Sequence, residues 1–179
     1  MALSEFEKYH FMREALYEAK KAQNIGEIPI GCVVVLDGKI IGRGHNLREH
    51  SEDATMHAEM IAIQEANMTV HSWRLEKAQL FVTLEPCPMC CGAIINARIP
   101  EVYYGASDPK AGCAGTLMNL LTDSRFNHQA KVESGIMQQA CSKILVDFFR
   151  YIRKLQKKRK KEAREAKKKQ KQNKKTDQD

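Results

Sequence analysis

Three cysteines fall within five positions of the segment Pro86-Cys87-Pro88-Met89-Cys90-Cys91, and His57-Ala58-Glu59 stands about thirty residues upstream. Thiols this close together are not ordinary core residues. They restrict the chain to a fold that can use them as a disulfide, a redox pair, a structural zinc knuckle or half of a catalytic metal site. Both stretches fall where a helix is predicted to begin. A helix N-terminus presents free N–H groups and the positive end of a dipole, which stabilises thiolates. Cys87 and Cys90 are three apart, so on one helical turn their sulfurs share a face. An imidazole from the other helix makes an N,S,S donor set, which suits zinc. A structural zinc site closes with four protein ligands, whereas a catalytic one keeps a position for water. Cys91, four residues from Cys87, also lies near that face. No further thiol lies beside His57, so packing in the first helical turn is the preferred reading of Cys91.

Glu59 is two residues from His57. On a regular helix it points away from His57, unless the helix start is irregular. A carboxylate beside an activated water is suited to shuttling protons to a ring nitrogen and then to a leaving amine. Taken alone, Glu59 reads equally well as a first-turn glutamate favoured by the helix dipole.

The N-terminal stretch MALSEFEKYHFMREAL is charged and amphipathic, without the apolar core of a secretory signal. No stretch approaches the roughly 18 apolar residues of a membrane span. A cytoplasmic protein is expected, one whose thiols stay reduced, which favours metal binding or catalysis over disulfides. Cys32, Cys113 and Cys141 sit among apolar or small neighbours and read as core thiols.

The formal charge of +7 is unevenly spread. Residues 153–179 hold 14 Lys/Arg against 4 Asp/Glu, while residues 1–152 hold 15 against 18. A mildly acidic domain, residues 1–155, thus carries a basic tail, residues 156–179, that is expected to be disordered or a frayed helix end. The tail reads either as a solvated helix end or as a non-specific attractor of RNA phosphates.

Apolar residues at Phe6, Tyr9, Met12, Leu16 and Ala19 predict a helix over 5–23 with that stripe buried. Residues 30–43 read as a hairpin turning at Asp37-Gly38. A second helix runs from Thr55 to about Asn67. Strand 80–84, a helix from Pro86 to about Ala97 and strand 102–105 have the length of a parallel βαβ crossover. One short helix is expected near Leu117–Leu121, a last strand at Gln129–Glu133 and a final helix over Ile136–Leu155, with Phe148 in the core and Phe149 partly exposed. The expected architecture is an α/β fold, a three-layer α/β/α sandwich around one mixed five-stranded sheet.

His-Ala-Glu followed by Pro-Cys-x-x-Cys resembles the zinc deaminase signature of the cytidine deaminase-like superfamily. The segments GHN at 44–46, TMHAEMIAI at 55–63, LFVTLEPCPMCCGAI at 80–94, RIPEVYYGASDPKAGCAG at 98–115, FNH at 126–128 and DFFR at 147–150 narrow the resemblance to the bacterial tRNA-specific adenosine deaminase branch, over roughly residues 5–155. The resemblance implies a cytidine deaminase-like fold. It implies one Zn2+ per subunit on His57, Cys87 and Cys90, a zinc-activated water as nucleophile and Glu59 as proton shuttle. It also implies substrate contacts at Asn46, Asp108, Phe149 and Arg153, with Ala111 departing from a threonine found in some relatives. The implied reaction is adenosine to inosine at the wobble position of a tRNA anticodon stem-loop, by a homodimer with no nucleotide cofactor. In that pattern the position of Cys91 carries a small packed residue. Without the resemblance, Asn46 and Asp108 read as turn residues. Two rivals stand beside this reading: a deaminase of free bases or nucleosides, and a non-enzymatic RNA-binding protein with a structural zinc site.

Overall fold

The computed structural model describes residues 3–176, with side chains placed through Glu165. The chain divides after Leu145 into two units. Helix α1, Glu5–Asn24, starts at a reciprocal cap: the Ser4 hydroxyl accepts from the Glu7 N–H and the Glu7 carboxylate accepts from the Ser4 N–H. This satisfies two of the four N–H groups that any helix start leaves without partners. Strands β1, Gly31–Leu36, and β2, Lys39–His45, form a hairpin closed by Asp37 and Gly38, both at positive φ. That is the backbone a tight two-residue turn requires. Helix α2, Ala58–Val70, strand β3, Gln79–Leu84, helix α3, Pro88–Asn96, strand β4, Glu101–Ala106, strand β5, Lys131–Ser134, and helix α4, Gln138–Thr176, complete the order.

The sheet runs β2-β1-β3-β4-β5. β1 is antiparallel to β2 and β3, whereas β3, β4 and β5 are parallel. One face packs Val34, Leu80, Val82 and Val102 against α2 and α3 residues such as Ala62, Ile63 and Ile94. The other packs Val33, Val35, Phe81 and Tyr103 against Phe11, Met12, Ala15 and Leu16 of α1, with Cys141 at the start of α4. These are the three layers and five strands expected of the sequence.

Four local expectations change. The buried stripe of α1 is Phe11, Met12, Ala15, Leu16, Ala19 and Ala22, whereas Phe6 and Tyr9 are exposed. At 100° per residue Phe6 and Tyr9 fall to one side of that stripe, so the period was right and its phase was not. Helix α2 begins at Ala58 rather than Thr55, after the extended N-cap His57. Residues 117–121 form turns, with a single bridge from Ala114 to Asn119 instead of a helix. Helix α4 continues beyond Leu155 to Thr176. Residues 156–176 contain neither Gly nor Pro and are rich in Lys, Glu, Gln, Ala and Arg, all good helix formers. The last three residues of the predicted tail, 177–179, lie outside the described residues. Phe148 is buried and Phe149 exposed.

Gly44 shows how closely the site-bearing helix lies on the sheet. A Cβ there would stand 2.1 Å from the Ala58 carbonyl oxygen and 2.7 Å from the Ala62 N. Gly44→Ala must therefore push α2 off β2. We expect a loss of about 1–3 kcal/mol in urea unfolding, typical of core overpacking.

Candidate active site

Three segments meet at one end of the sheet: the exit of β2 at Asn46, the start of α2 at His57, and the loop from β3 into α3 at Cys87. The carboxyl ends of parallel strands in an open α/β sheet are where such folds bind ligands.

The same local device supplies two of the three metal-type donors. His57 is the N-cap of α2, with extended backbone at φ −80° and ψ 154°. Cys87 is the N-cap of α3, at φ −76° and ψ 174°. Neither side chain caps its own helix, so each is free to turn towards the other. The His57 Nδ1 stands 3.6 Å from the Cys87 Sγ and 3.6 Å from the Cys90 Sγ. Donors tetrahedrally placed on zinc, with Zn–S of about 2.3 Å and Zn–N of about 2.0–2.1 Å, stand about 3.6 Å apart. The three ligand atoms lie within 4.8 Å of one another, and among the described residues this is the one His/Cys/Asp/Glu group found that could hold a metal ion. The N,S,S set therefore fits zinc and leaves a coordination position to water or substrate. Cys90 and His57 hold the Cys87 thiol well below its ordinary range, at about 4, which favours the thiolate a metal requires.

Cys91 is turned away from the cluster. Fully buried, its S–H faces the Pro86 carbonyl at 3.6 Å and the Cys113 carbonyl at 3.5 Å.

His57 precedes the first helical turn, and that is the irregular start that lets Glu59 share its side. Glu59 is 4% exposed, and its carboxyl comes within hydrogen-bonding reach of the Cys90 thiol. Burial pushes the carboxyl up to about 7, against the pull of its own backbone N–H. A carboxyl that titrates near neutrality can both accept and return a proton at working pH.

Asn46 is buried, and its Nδ2 donates to Glu27 Oε2 at 2.9 Å. The other Glu27 oxygen accepts from the His50 N–H at 2.5 Å. Glu27 escaped sequence analysis, because nothing in the sequence marks an acid as the partner of an amide nineteen residues away. Glu27→Ala leaves the buried Asn46 amide and the part-buried His50 N–H without their acceptor and is expected to cost about 2 kcal/mol in chemical denaturation, as for lost hydrogen bonds to a charged group.

Asp108 is half-buried, and its Oδ1 accepts from the Lys110 N–H. Its own N–H donates to a second carboxylate that the sequence did not flag, Glu85. Glu85, 2% exposed and two residues before Cys87, also accepts from the N–H groups of Ala114 at 3.0 Å and Thr116 at 2.9 Å, and from the Thr116 hydroxyl. Gly112 permits this, since a Cβ there would stand 2.3 Å from Glu85 Oε2. Burial pushes the Glu85 carboxyl up, but its Thr116, Asp108 and Ala114 donors outweigh burial and hold it below the ordinary range. Loop 108–116 is thereby tied to the cysteine segment. Phe149 and Arg153 belong to the second unit; both are exposed on α4, and Phe149 meets Phe148 edge to face at 5.6 Å.

This fold, with an N,S,S cluster beside a buried glutamate, is that of a deaminase, and a family model described as MafB19-like deaminase matches residues 6–153. A tRNA-specific adenosine deaminase of Bacillus subtilis is 56% identical over 144 residues, covering 80% of this chain and 89% of the relative. A tRNA-specific adenosine deaminase of Streptococcus pyogenes serotype M18 is 56% identical over 148 residues, covering 83% and 93%. Among solved structures, one from a study of A-to-I editing by tRNA deaminases at the wobble position superposes with a TM-score of 0.73 at 43% identity, covering 76% of this chain and 99% of that one. A guanine deaminase of Bacillus subtilis superposes with a TM-score of 0.54 at 40% identity, covering 60% and 69%. The chain belongs to the tRNA-specific adenosine deaminase family.

Proposed function

We propose that the protein is a zinc-dependent hydrolase that converts adenosine to inosine at the wobble position of a tRNA anticodon loop. The observation that carries this reading is the convergence of His57 Nδ1 with the Cys87 and Cys90 sulfurs beside buried Glu59, in a chain of this family. His57, Cys87 and Cys90 would hold one zinc per subunit. When bound, zinc supplies a Lewis acid that lowers the pKa of a coordinated water towards neutrality.

Glu59 accepts a proton from the attacking water and delivers it to N1 of the purine as the water oxygen adds to C6. Glu59 then takes the proton of the new C6 hydroxyl to the exocyclic amine, the C6–N bond breaks, ammonia leaves, and the C6 carbonyl and N1–H of inosine remain. Asn46, its amide fixed by Glu27, orients the nucleoside. Asp108, Phe149 and Arg153 meet the flanking nucleotides. A loop nucleotide leaves its stack at less cost than one in a duplex, which suits a pocket for one extruded base.

The deaminase domain comprises residues 1–155, with residues 156–179 as a basic extension. The working form is a homodimer, as the family resemblance implies, and it acts in the cytoplasm on a tRNA anticodon stem-loop. No described helix is long and apolar enough to cross a membrane.

The likeness to a guanine deaminase supports a second reading, a deaminase of free bases. Turnover of a wobble-adenosine stem-loop, run beside free adenosine, cytidine and guanine, separates the two. Inosine in the stem-loop alone supports the tRNA reading. Turnover of a free base or nucleoside alone replaces it.

A further inference from the structure

Helix α4 carries a feature that the deaminase chemistry does not use. The family match ends at residue 153, where a dense run of cations begins. Arg153, Lys157, Lys160 and Arg164 are spaced by four, three and four residues, so they share one helix face. The same spacing continues in the sequence at Lys168, Lys171 and Lys175. Arg153 to Lys175 is roughly 33 Å of helix at about 1.5 Å per residue.

Every residue from Gln156 to Glu165 is exposed. The two acids of this stretch are engaged beside the stripe: Glu162 with Lys158 at 3.9 Å and Glu165 with Lys161 at 4.0 Å. Among the described residues the four stripe cations have no acidic partner. Beyond Leu155 the apolar residues are Ala163 and Ala166 alone. The helix therefore lacks the bulky apolar face that seats a helix in a membrane surface or against a partner helix. A line of cations that is exposed and without acidic partners among the described residues, with no bulky apolar flank, matches a polyanion backbone. Residues 1–152 carry more acids than bases, so this helix is where the chain concentrates charge that attracts RNA.

We propose that the basic face of α4 beyond residue 153 is a second RNA-binding surface. It holds the phosphate backbone of the substrate's helical stems, without base readout, while the active site takes the loop nucleotide. This inference rests on the tRNA reading above. Its signature is electrostatic: each phosphate neutralised by a Lys or Arg steepens the fall of log affinity with log salt.

The test compares two matched charge removals in the full chain, the stripe pair K160Q/R164Q and the off-stripe pair K158Q/R159Q. Gln preserves helix propensity. Binding to whole tRNA and to an unrelated RNA duplex is measured at about 50 and 200 mM salt, with the log–log slope expected to become shallower by about 1.5–2 in the stripe variant and its deficit about tenfold larger at the lower salt. The off-stripe pair is expected to change the slope by less than half as much, and kcat on the anticodon stem-loop to stay at the wild-type value in both. An unchanged slope in the stripe variant, or equal changes in both variants, overturns the proposal. Failure of the wild type to deaminate the stem-loop sinks the functional reading instead, while the duplex slopes still decide whether this face binds RNA.

Discussion

Glu59→Gln is expected to remove turnover while leaving fold and metal content in place. Gln matches the shape of Glu and keeps the buried position, but it cannot accept a proton. Glu59 handles protons in both halves of the proposed reaction, so the loss belongs at the upper end of the range for positioned acid–base groups, about 10⁴-fold in kcat. Burial raises the Glu59 carboxyl to about 7, and two pH effects follow. First, wild-type kcat/KM falls in acid, because the protonated acid cannot take the water's proton, and the fall lies below pH 7 in the metal-loaded enzyme, where a neighbouring cation favours the carboxylate. Second, a raised folded-state pKa means the ionised form destabilises the metal-free fold as pH rises through it. Gln removes that cost, so the metal-free variant melts no lower than the wild type at pH above 7, and the gap narrows in acid. Melting curves across pH, with metal content of the loaded protein by elemental analysis, check both. Residual activity within tenfold of wild type would remove Glu59 from the chemistry.

The second large effect separates neighbouring cysteines. Cys90→Ala takes one of three donors from the cluster and is expected to leave the purified protein without stoichiometric metal. The activity loss exceeds the roughly 10–100-fold typical of disturbing only an outer-shell partner. Cys91→Ala, one residue on, keeps its metal and its activity. It loses only the S–H contacts to the Pro86 and Cys113 carbonyls and a small buried volume, about 1 kcal/mol of stability. Cysteine ligands bind as thiolates, so metal uptake releases protons and weakens as pH falls. Loss of metal from Cys91→Ala together with its retention in Cys90→Ala would reverse the assignment.

These two residues also show where sequence is legible. The pairing of Cys87 with Cys90 is legible from their three-residue spacing, although Cys87 itself stands in extended backbone just before α3. The direction of Glu59 is not, because it depends on His57 standing in extended backbone just before the helix. The hairpin at Asp37-Gly38 and the β3-α3-β4 crossover could be read because a two-residue turn and a crossover length are local properties. The phase of α1 could not, because Phe6 and Tyr9 are as apolar as the residues that are buried, and only the position of the sheet chooses between faces. α4 runs past the expected end at Leu155 for a related reason: high charge points to a disordered or frayed helical tail, while the absence of Gly and Pro leaves helix propensity unopposed. Glu27 and Glu85 are the deeper omissions. Each is a buried acid whose partners lie far along the chain, Asn46 and His50 for one, Asp108, Ala114 and Thr116 for the other. No pattern of spacing announces them, yet they hold the two loops that flank the donors.

The most direct test of the account is the position of the product. A tRNA with adenosine at the wobble position and further adenosines elsewhere in the anticodon loop is treated with the metal-loaded protein, and inosine is mapped by sequencing. The account predicts inosine at the wobble position alone, in the wild type and not in Glu59→Gln. Inosine spread through the loop, or an unmodified loop alongside turnover of free guanine, would contradict it.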